Sequence, residues 1–256
     1  MNLKSLGYKF FPDFLIKFLK KYHYLRKLKN ASVEDEEDLG LLKYFIKEGD
    51  QTFDIGANFG IYSKFMSQYC GPSGKVFSFE PIKATFNYLC FNMKHLNYKN
   101  VLPLNIAISD FNGAIQMEVP KYNNGGENYY EAKIVDSLSK ENKSYSVNTS
   151  SLDEIMIEYS ASPVFIKCDV EGHELFVFKG ASKLLSTCKP ILLIEINGDL
   201  ANPDKNTSEL LSILRSEGYD IYINYNQALK KWNGEKKTNY FFLTASHQKN
   251  LEEIII

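Results

Sequence analysis

The 256-residue sequence is long enough for one α/β domain with a modest appendage, and its 44% hydrophobic residues can fill a sizeable core. A formal net charge of -1 gives no general attraction to nucleic acid. The four cysteines are widely spaced, the N-terminus lacks a signal-peptide cleavage site, and no apolar run approaches the about 18 residues of a spanning helix. We therefore expect a cytoplasmic protein with reduced thiols and no stable membrane insertion.

Residues 8–29 form an amphipathic helical pattern, with aromatic and aliphatic residues on one face and most lysines off it. The helix can lie on a membrane surface or pack over the main domain, and the second interpretation is favoured because core-facing amphipathic helices are common. The acidic run 34–38 after Ser32 predicts a second helix that runs to about Lys47. We thus expect an N-terminal helical extension over residues 1–48 and the main domain over 49–256.

From Asp50 onward, short apolar runs alternate with helical patterns. Strands are predicted at 52–55, 75–79, 101–106, 164–169, 191–196, 221–224 and 240–244, and helices at 61–69, 83–95, about 175–185 and 208–217. This alternation predicts an α/β fold with a Rossmann-like, doubly wound, seven-stranded and mostly parallel sheet, which binds ligands at the carboxyl ends of its strands. Residues 121–150 are polar and poor in aliphatic side chains, which predicts a long binding loop or lid, or else a partly disordered segment.

The first strand leads into a glycine-containing turn, Asp54-Ile55-Gly56-Ala57-Asn58-Phe59-Gly60. Gly56 permits a tight turn, and Gly60 permits close approach where the next helix starts. The spacing differs from the G-x-G-x-x-G pattern that holds the pyrophosphate of a dinucleotide. S-adenosylmethionine has no phosphate, so Asp54 can face its cationic methionine end while Asn58 forms hydrogen bonds there.

The next two strands end in further polar positions. Glu80 and Pro81 end the second strand, where a carboxylate can accept hydrogen bonds from both ribose hydroxyls. The third strand carries Asn105 and Ala107 and leads into a turn at 109–113 that can cover an adenine. An ordinary surface turn explains residues 109 and 110 almost as well.

Several linked motifs now occur in a fixed order between about residues 49 and 197: FDIGANFGIYS, FEP, NVLPLNIAISDFNGAI, SLDEI, FIKCDVEGHELFVFKGASKLL and PILLIEI. The series resembles the FkbM family of methyltransferases. The resemblance implies a class I methyltransferase fold that binds S-adenosyl-L-methionine through Asp54, Gly56, Asn58, Gly60, Tyr62, Glu80, Pro81, Asn105, Ala107 and Asp169. Cys168 departs from the aliphatic residue usual in the family. The N-terminal helix and residues 121–150 match nothing specific, and we expect them to select the substrate.

The acceptor side is predicted around the end of the fourth strand, because methyl transfer is an in-line displacement that depends on positioning. A neutral hydroxyl is a poor nucleophile, so a nearby base would help, and the candidates are Asp169, Glu171, His173 and Glu195. His173 has the most suitable unperturbed pKa, but it can equally be a helix-start residue with only local hydrogen bonds. The three carboxylates can instead hold a divalent cation, although we favour a site without metal.

Lys167 lies within the apolar fourth strand, on the same face as Phe165 and Asp169. A lysine in a buried strand needs a carboxylate partner, and Asp54 or Asp169 can provide it. Lys167 would then be a structural brace for the site.

We therefore expect O-methylation of a hydroxyl on a glycan or a small-molecule natural product, with no nucleic-acid partner. One alternative, a nicotinamide-dependent oxidoreductase on a Rossmann fold, is opposed by the missing G-x-G-x-x-G. A non-catalytic adenosylmethionine-binding module is opposed by the intact row of polar residues at the strand ends. An RNA methyltransferase is disfavoured because no basic-aromatic tract surrounds the predicted site.

Overall fold

The computed structural model describes residues 13–120, 128, 132–134 and 143–256. The α-helices are α1 (Asp13–Asn30), α2 (Leu42–Phe45), α3 (Ile61–Cys70), α4 (Lys83–His95), α5 (Leu152–Tyr159), α6 (Glu174–Lys179), α7 (Ser182–Thr187), α8 (Lys205–Ser216) and α9 (Ala245–Asn250). The strands are β1 (Gln51–Ile55), β2 (Lys75–Phe79), β3 (Val101–Leu104), β4 (Ala107–Ile108), β5 (Gly113–Val119), β6 (Lys133–Ile134), β7 (Lys143–Ser150), β8 (Pro163–Cys168), β9 (Ile191–Glu195), β10 (Tyr219–Tyr225), β11 (Ala228–Lys231) and β12 (Asn239–Thr244).

The large sheet has the order β11-β10-β12-β9-β8-β1-β2-β3. Strands β3, β2, β1, β8 and β9 are parallel, whereas β12 runs antiparallel between β9 and β10. The expected mostly parallel, doubly wound α/β sheet is confirmed, but this sheet contains eight strands among the described residues rather than the predicted seven. The additional strand is β11, which forms a hairpin with β10 across Asn226 and Gln227. Both residues have positive φ, and without a glycine the pair gives no strong hairpin signal in the sequence.

Apolar side chains cover both faces of the parallel strands, as expected for strands buried between helices. On one face, Phe53 and Ile166 belong to a core beneath α5–α8. On the other, Phe165 stacks on Phe45 at a centroid distance of 5.7 Å, and Phe241 completes the group. The helix predicted over 175–185 is two short helices, because Gly180 packs against the Ser109 carbonyl and interrupts it.

A second, smaller sheet has the order β4-β7-β5-β6. The prediction of a loop over residues 121–150 is therefore wrong for β6 and β7; the rest of that segment lies outside the described residues, apart from Asn128 and Ala132. In β7, Val147 and Thr149 are buried while Ser146 and Asn148 are exposed. The strand alternates in burial, but its small polar residues conceal the alternation from a hydrophobicity pattern.

The N-terminal helix α1 packs on the main sheet's helical layer rather than standing alone. Leu28 is fully buried, and Tyr24 stacks on Phe59 and Tyr88 at centroid distances of 5.0 and 4.9 Å. Other residues of the predicted apolar face, Phe18 and Tyr22, remain about half exposed. Within the described chain, no helix combines the length and apolar character needed to cross a membrane.

The helix predicted from Ser32 to Lys47 is largely wrong. Ser32 does accept a hydrogen bond from the Glu34 N–H, but the chain continues as turns until a 3-10 turn at Leu39–Leu41 and the short helix α2. The reason is Asp38, which is buried and accepts hydrogen bonds from Asn224 (3.1 Å) and Asn239 (2.9 Å). Those tertiary hydrogen bonds override the local preference for a helix with an acidic first turn.

Lys64, in α3, holds the C-terminal end of α1 through hydrogen bonds. Its side chain is buried in α3, and its ammonium donates hydrogen bonds to the carbonyls of Leu28 (3.0 Å) and Ala31 (2.6 Å). Carbonyls at a helix C-terminus lack the amide partners of the helix interior, and a cation is also favourable there. The Leu28 carbonyl additionally accepts the Ala31 N–H at 3.2 Å. The segment after α1 is thus held by Lys64 at its beginning and by Asp38 at its end.

Candidate active site

The turn after β1 is built around Gly56, where three strand ends meet. Gly56 has a φ of +82°, and a Cβ atom there would lie 1.8 Å from the carbonyl oxygen of Asp169. The Gly56 and Ala57 N–H groups donate to the carbonyl of Phe79 at 3.0 and 2.9 Å. Only glycine fits this position, so the turn is locked between the ends of β2 and β8.

Gly60 serves helix packing rather than the turn itself. It has a φ of +101°, and an added Cβ would lie 2.4 Å from Met93 Cε and 2.8 Å from Leu89 Cδ1. Gly60 therefore lets the start of α3 approach α4 closely. Tyr62, in the first turn of α3, faces the cavity beside Asp54.

Asp54 ends β1 as a buried carboxylate with a local donor. The Ser63 hydroxyl donates to Asp54 Oδ2 at 2.5 Å, and Ser63 in turn contacts the Ser78 hydroxyl at 2.7 Å. Burial raises the pKa of Asp54 to about 6, although the hydrogen bond from Ser63 and the charge of Lys167 oppose the shift. An ionised Asp54 is therefore short of positive charge in its surroundings.

Glu80 plays the corresponding part at the end of β2. Its carboxylate accepts hydrogen bonds from the N–H groups of Asn58 (3.0 Å) and Ile82 (2.9 Å), and burial raises its pKa to about 8. Asn105 donates to the carbonyls of Glu80 and Pro81, both at 2.8 Å. Asn105 thus fixes the Glu80–Pro81 turn, and Glu80 fixes the Gly56 turn.

Two neighbouring cavities open at these strand ends and share Gly56, Asn58 and Asp169. We call the first the apolar cavity, lined also by Ile55, Phe79, Glu80, Pro81, Ile82, Ile106, Ala107, Ile108, Met117, Ala132, Ile134, Val170, Glu171 and His173. We call the second the acidic cavity, lined also by Glu36, Asp54, Ala57, Phe59, Ile61, Tyr62, Lys167, Glu195 and Asn239. A ligand that occupies both must pass over Gly56 and Asp169.

Lys167 forms an ion pair with Asp169 in the acidic cavity, at 2.8 Å from Nζ to Oδ2. Burial alone would lower the pKa of Lys167, but the charge of Asp169 and their hydrogen bond raise it. The ammonium also lies 5.2 Å from the centroid of the Tyr62 ring, whose buried hydroxyl has no hydrogen-bond partner among the described residues. Asp169, rather than Asp54, is thus the direct partner of the buried lysine.

Glu195 ends β9 beside this ion pair. Carboxylate oxygens of Asp169, Glu171 and Glu195 lie within 4.8 Å of one another. Burial, followed by the charge of Asp169, raises the pKa of Glu195 to about 7. Lys167 already supplies a cation to Asp169, and Glu171 accepts a hydrogen bond from Asn197 at 3.2 Å. The group can therefore hold a proton near neutral pH without a metal.

His173 lies on the other side of Asp169. Its Nε2 is 2.9 Å from the Ser109 hydroxyl, and its ring stacks on Phe176 at 4.6 Å. Burial lowers its pKa to about 4, so the imidazole is neutral at physiological pH. His173 and Glu171 line the apolar cavity, Glu195 lines the acidic cavity, and Asp169 lines both.

Three polar residues that line the acidic cavity or bind its carboxylates were not among the predicted site residues: Glu36, Ser63 and Asn239. Glu36 belongs to the acidic run that indicated a helical first turn. Ser63 is a small polar residue on the buried side of α3, a signal visible once Asp54 is suspected. Asn239 lies opposite Glu195 in the antiparallel register of β12 and β9, which a sequence pattern does not reveal.

The doubly wound sheet, the glycine turn and the carboxylates that end two neighbouring strands define a Rossmann-like domain of the class I methyltransferase type. The methyltransferase FkbM domain matches residues 54–221, well over half of the sequence. The chain belongs to the FkbM methyltransferase family.

The hexuronic acid methyltransferase AglP of Haloferax volcanii is 29% identical over 179 residues, which cover 70% of this chain and 68% of the relative. A crystal structure of methyltransferase FkbM from Methylobacillus flagellatus is 17% identical with a TM-score of 0.47; the alignment covers 75% of this chain and 43% of that one, so the chain spans less than half of that protein. Fibrillarin from Aeropyrum pernix, solved with bound S-adenosyl-L-methionine, is 14% identical with a TM-score of 0.48, over 80% of this chain and 72% of that one.

Proposed function

We propose that the chain transfers a methyl group from S-adenosyl-L-methionine to a hydroxyl of a glycan or small natural product. The observation that carries the proposal is the pair of buried carboxylates, Asp54 and Glu80, which flank the Gly56 turn at neighbouring strand ends. Their raised pKa values show that each is short of compensating donors or positive charge. A ribose diol and a methionine ammonium are groups of the required kinds.

The two cavities suit the two ends of this cofactor. In the apolar cavity, Ile82, Ala107 and Ile108 would flank the adenine, and Glu80 would accept hydrogen bonds from the ribose. In the acidic cavity, Asp54, Asn58 and Tyr62 would hold the methionine end, and the buried Tyr62 hydroxyl offers an unused hydrogen-bond donor. The cofactor supplies a methyl group on a sulfonium, whose departure as a neutral thioether needs no metal. The free thiols of all four cysteines fit the proposed cytoplasmic location.

Glu195 is the best-placed base for the acceptor hydroxyl. Its pKa of about 7 is near the operating pH, which is the range in which a general base is most effective. With the cofactor bound, Glu195 would accept the proton of the acceptor hydroxyl as its oxygen replaces the sulfonium sulfur on the methyl carbon. Asp169, neutralised in part by Lys167, keeps the pKa of Glu195 raised and faces the reacting groups from the shared edge of both cavities.

A glycan acceptor is supported by AglP, whose name identifies that relative as a hexuronic acid methyltransferase. We propose no nucleic-acid acceptor, since carboxylates dominate the cavity beside the expected methyl position. The remaining candidates for the base, His173 and Glu171, line the apolar cavity, on the side assigned to the adenosine.

The proposal is tested by calorimetric titration of the purified protein with S-adenosylhomocysteine and, separately, with NAD⁺. We expect S-adenosylhomocysteine to bind and NAD⁺ not to bind, because the turn after β1 lacks the G-x-G-x-x-G spacing that holds a pyrophosphate. Binding of NAD⁺ in preference to S-adenosylhomocysteine would replace the proposed function with an oxidoreductase.

The pH dependence of single-turnover methylation identifies the base. If Glu195 accepts the proton, the rate should rise with pH through about 7 and level off above it, because the base must be ionised. If His173 were the base, the rate would already be level above pH 5, since its pKa is about 4. A chelator should leave the profile unchanged; loss of activity that Mg²⁺ restores would point to metal-assisted transfer through the three carboxylates instead.

A further inference from the structure

One carboxylate at the mouth of the acidic cavity takes no part in the chemistry proposed above. Glu36 lines that cavity together with Asp54, Lys167 and Glu195, and its side chain remains exposed to solvent. Its partial burial raises its pKa, while the charge of Lys167 opposes the shift. Glu36 is therefore close enough to interact with the groups deeper in the cavity and open enough to meet an incoming acceptor.

The position of Glu36 is set by the fold rather than by a free loop. The segment that carries it begins at the Lys64 anchor and ends at buried Asp38, whose carboxylate holds side chains of the main sheet. Between these anchors, the Ser32 N–H donates to Asp35 at 2.9 Å. The N-terminal segment thus forms one wall of the acidic cavity and presents a carboxylate there.

The charges around the cavity are unbalanced. Four of its lining residues are carboxylates, Glu36, Asp54, Asp169 and Glu195, and Lys167 is the single cation among the described lining residues. That cation is already paired with Asp169. The positive charge of a bound sulfonium would leave the cavity negative overall. Burial, followed by the charge of Asp169, raises the pKa of Glu195 in the same cavity.

We propose that the acidic cavity takes a polyhydroxylated acceptor without negative charge and disfavours hexuronates, and that Glu36 sets this preference. Carboxylates accept hydrogen bonds from hydroxyl groups but repel another carboxylate. A base such as Glu195 is also needed for a hydroxyl nucleophile, whereas a carboxylate is already ionised. The inference rests on the proposed function and narrows its acceptor to a class different from the one in the name of the Haloferax volcanii relative.

The test uses matched pairs of methyl glycosides and their uronic acids in the gluco, galacto and manno series. For each compound, it measures binding to the complex of the protein with S-adenosylhomocysteine and methyl transfer from S-adenosylmethionine. In at least one pair, the neutral member should be preferred about tenfold or more. Glu36→Gln should reduce the preference, and Glu36→Lys should shift it toward the uronic acid. Glu34→Gln is the matched control, because Glu34 lies in the same acidic run and is exposed but does not line the cavity. High salt should narrow the preference in the wild type.

Equal or better use of the uronic acid in the pairs that react would overturn the inference, as would the failure of every neutral glycoside to bind up to its solubility limit. An equal change in the Glu34→Gln control would also overturn the role of Glu36. The same samples titrated with S-adenosylhomocysteine separate the two proposals. If the wild type does not bind S-adenosylhomocysteine, the proposed function is refuted. If it binds S-adenosylhomocysteine but prefers uronic acids as acceptors, only this inference is refuted.

Discussion

Replacing Asp169 by asparagine is expected to lower turnover by about 100-fold and to destabilise the fold by about 3–5 kcal/mol. The stability loss follows because Lys167 would be left as a buried cation without its partner at 2.8 Å. The loss of turnover follows because Asp169 faces both cavities, and its carboxylate would be missing from the edge at which cofactor and acceptor are proposed to meet. The charge of Asp169 also contributes, after burial, to the raised pKa of Glu195. Without that charge, the rise of rate with pH should also move to lower pH.

A double variant separates the two effects. Lys167→Met with Asp169→Asn removes both charges, so the free energy of unfolding in a denaturant titration should recover much of the loss. Turnover should not recover, because the carboxylate is still missing. We expect kcat to fall more than the affinity for S-adenosylhomocysteine in both variants. Full recovery of turnover in the double variant would show that Asp169 only neutralises Lys167.

Asp54→Asn is expected to weaken S-adenosylhomocysteine binding beyond detection and at the same time to stabilise the ligand-free protein. The folded-state pKa of Asp54 is raised from 3.8 to about 6, so the folded protein binds the proton more tightly than the unfolded chain. The stability of the wild type should therefore fall as pH rises from about 4 to about 6, and at higher pH the ionised carboxylate costs about 3 kcal/mol as an upper estimate. Asparagine removes this cost and keeps an acceptor for the Ser63 hydroxyl.

Chemical unfolding at pH 5 and pH 8, combined with calorimetry, measures both effects. The advantage of Asp54→Asn should be large at pH 8 and smaller at pH 5. Asp199→Asn is the control, because hydrogen bonds from the Ala201 N–H and the Asn202 side chain lower the pKa of Asp199, so neutralisation should give no gain. Glu80→Gln should behave like Asp54→Asn, with its gain developing as the pH rises toward about 8. Unchanged ligand affinity in both variants would remove the cofactor assignment.

Local sequence patterns were sufficient to predict the bounds of helices and strands whose own periodicity decides their structure. The predicted ranges of β2 and α4 agree with the structure at both ends. The order of the motifs placed Asp54, Glu80 and Asp169 at neighbouring strand ends, because parallel strands bring their carboxyl ends to one edge. The need of Lys167 for a carboxylate partner also followed from the cost of an unpaired charge in a strand, although the sequence left Asp54 and Asp169 both open as that partner.

Tertiary contacts decided what the sequence did not reveal. Asp38 turns inward to Asn224 and Asn239, which are remote in sequence, and this contact prevents the predicted helix. Glu195 and His173 line different cavities. The contact between His173 and Ser109 joins residues that are remote in sequence, so no sequence pattern predicts it. The position of Glu36 at the cavity mouth likewise depends on the Lys64 anchor.

The apolar cavity is walled by two separately hydrogen-bonded sheets. Ile55 and Phe79 come from the large sheet, whereas Met117 and Ile134 come from the small one. Each sheet can therefore open as its own cooperative unit, with its own rate of amide hydrogen exchange. An adenosine lodged between them would contact both, so that exchange in β5 and β7 becomes linked to exchange in β1 and β2. In this way, cofactor supply would govern whether the protein unfolds in two steps or in one.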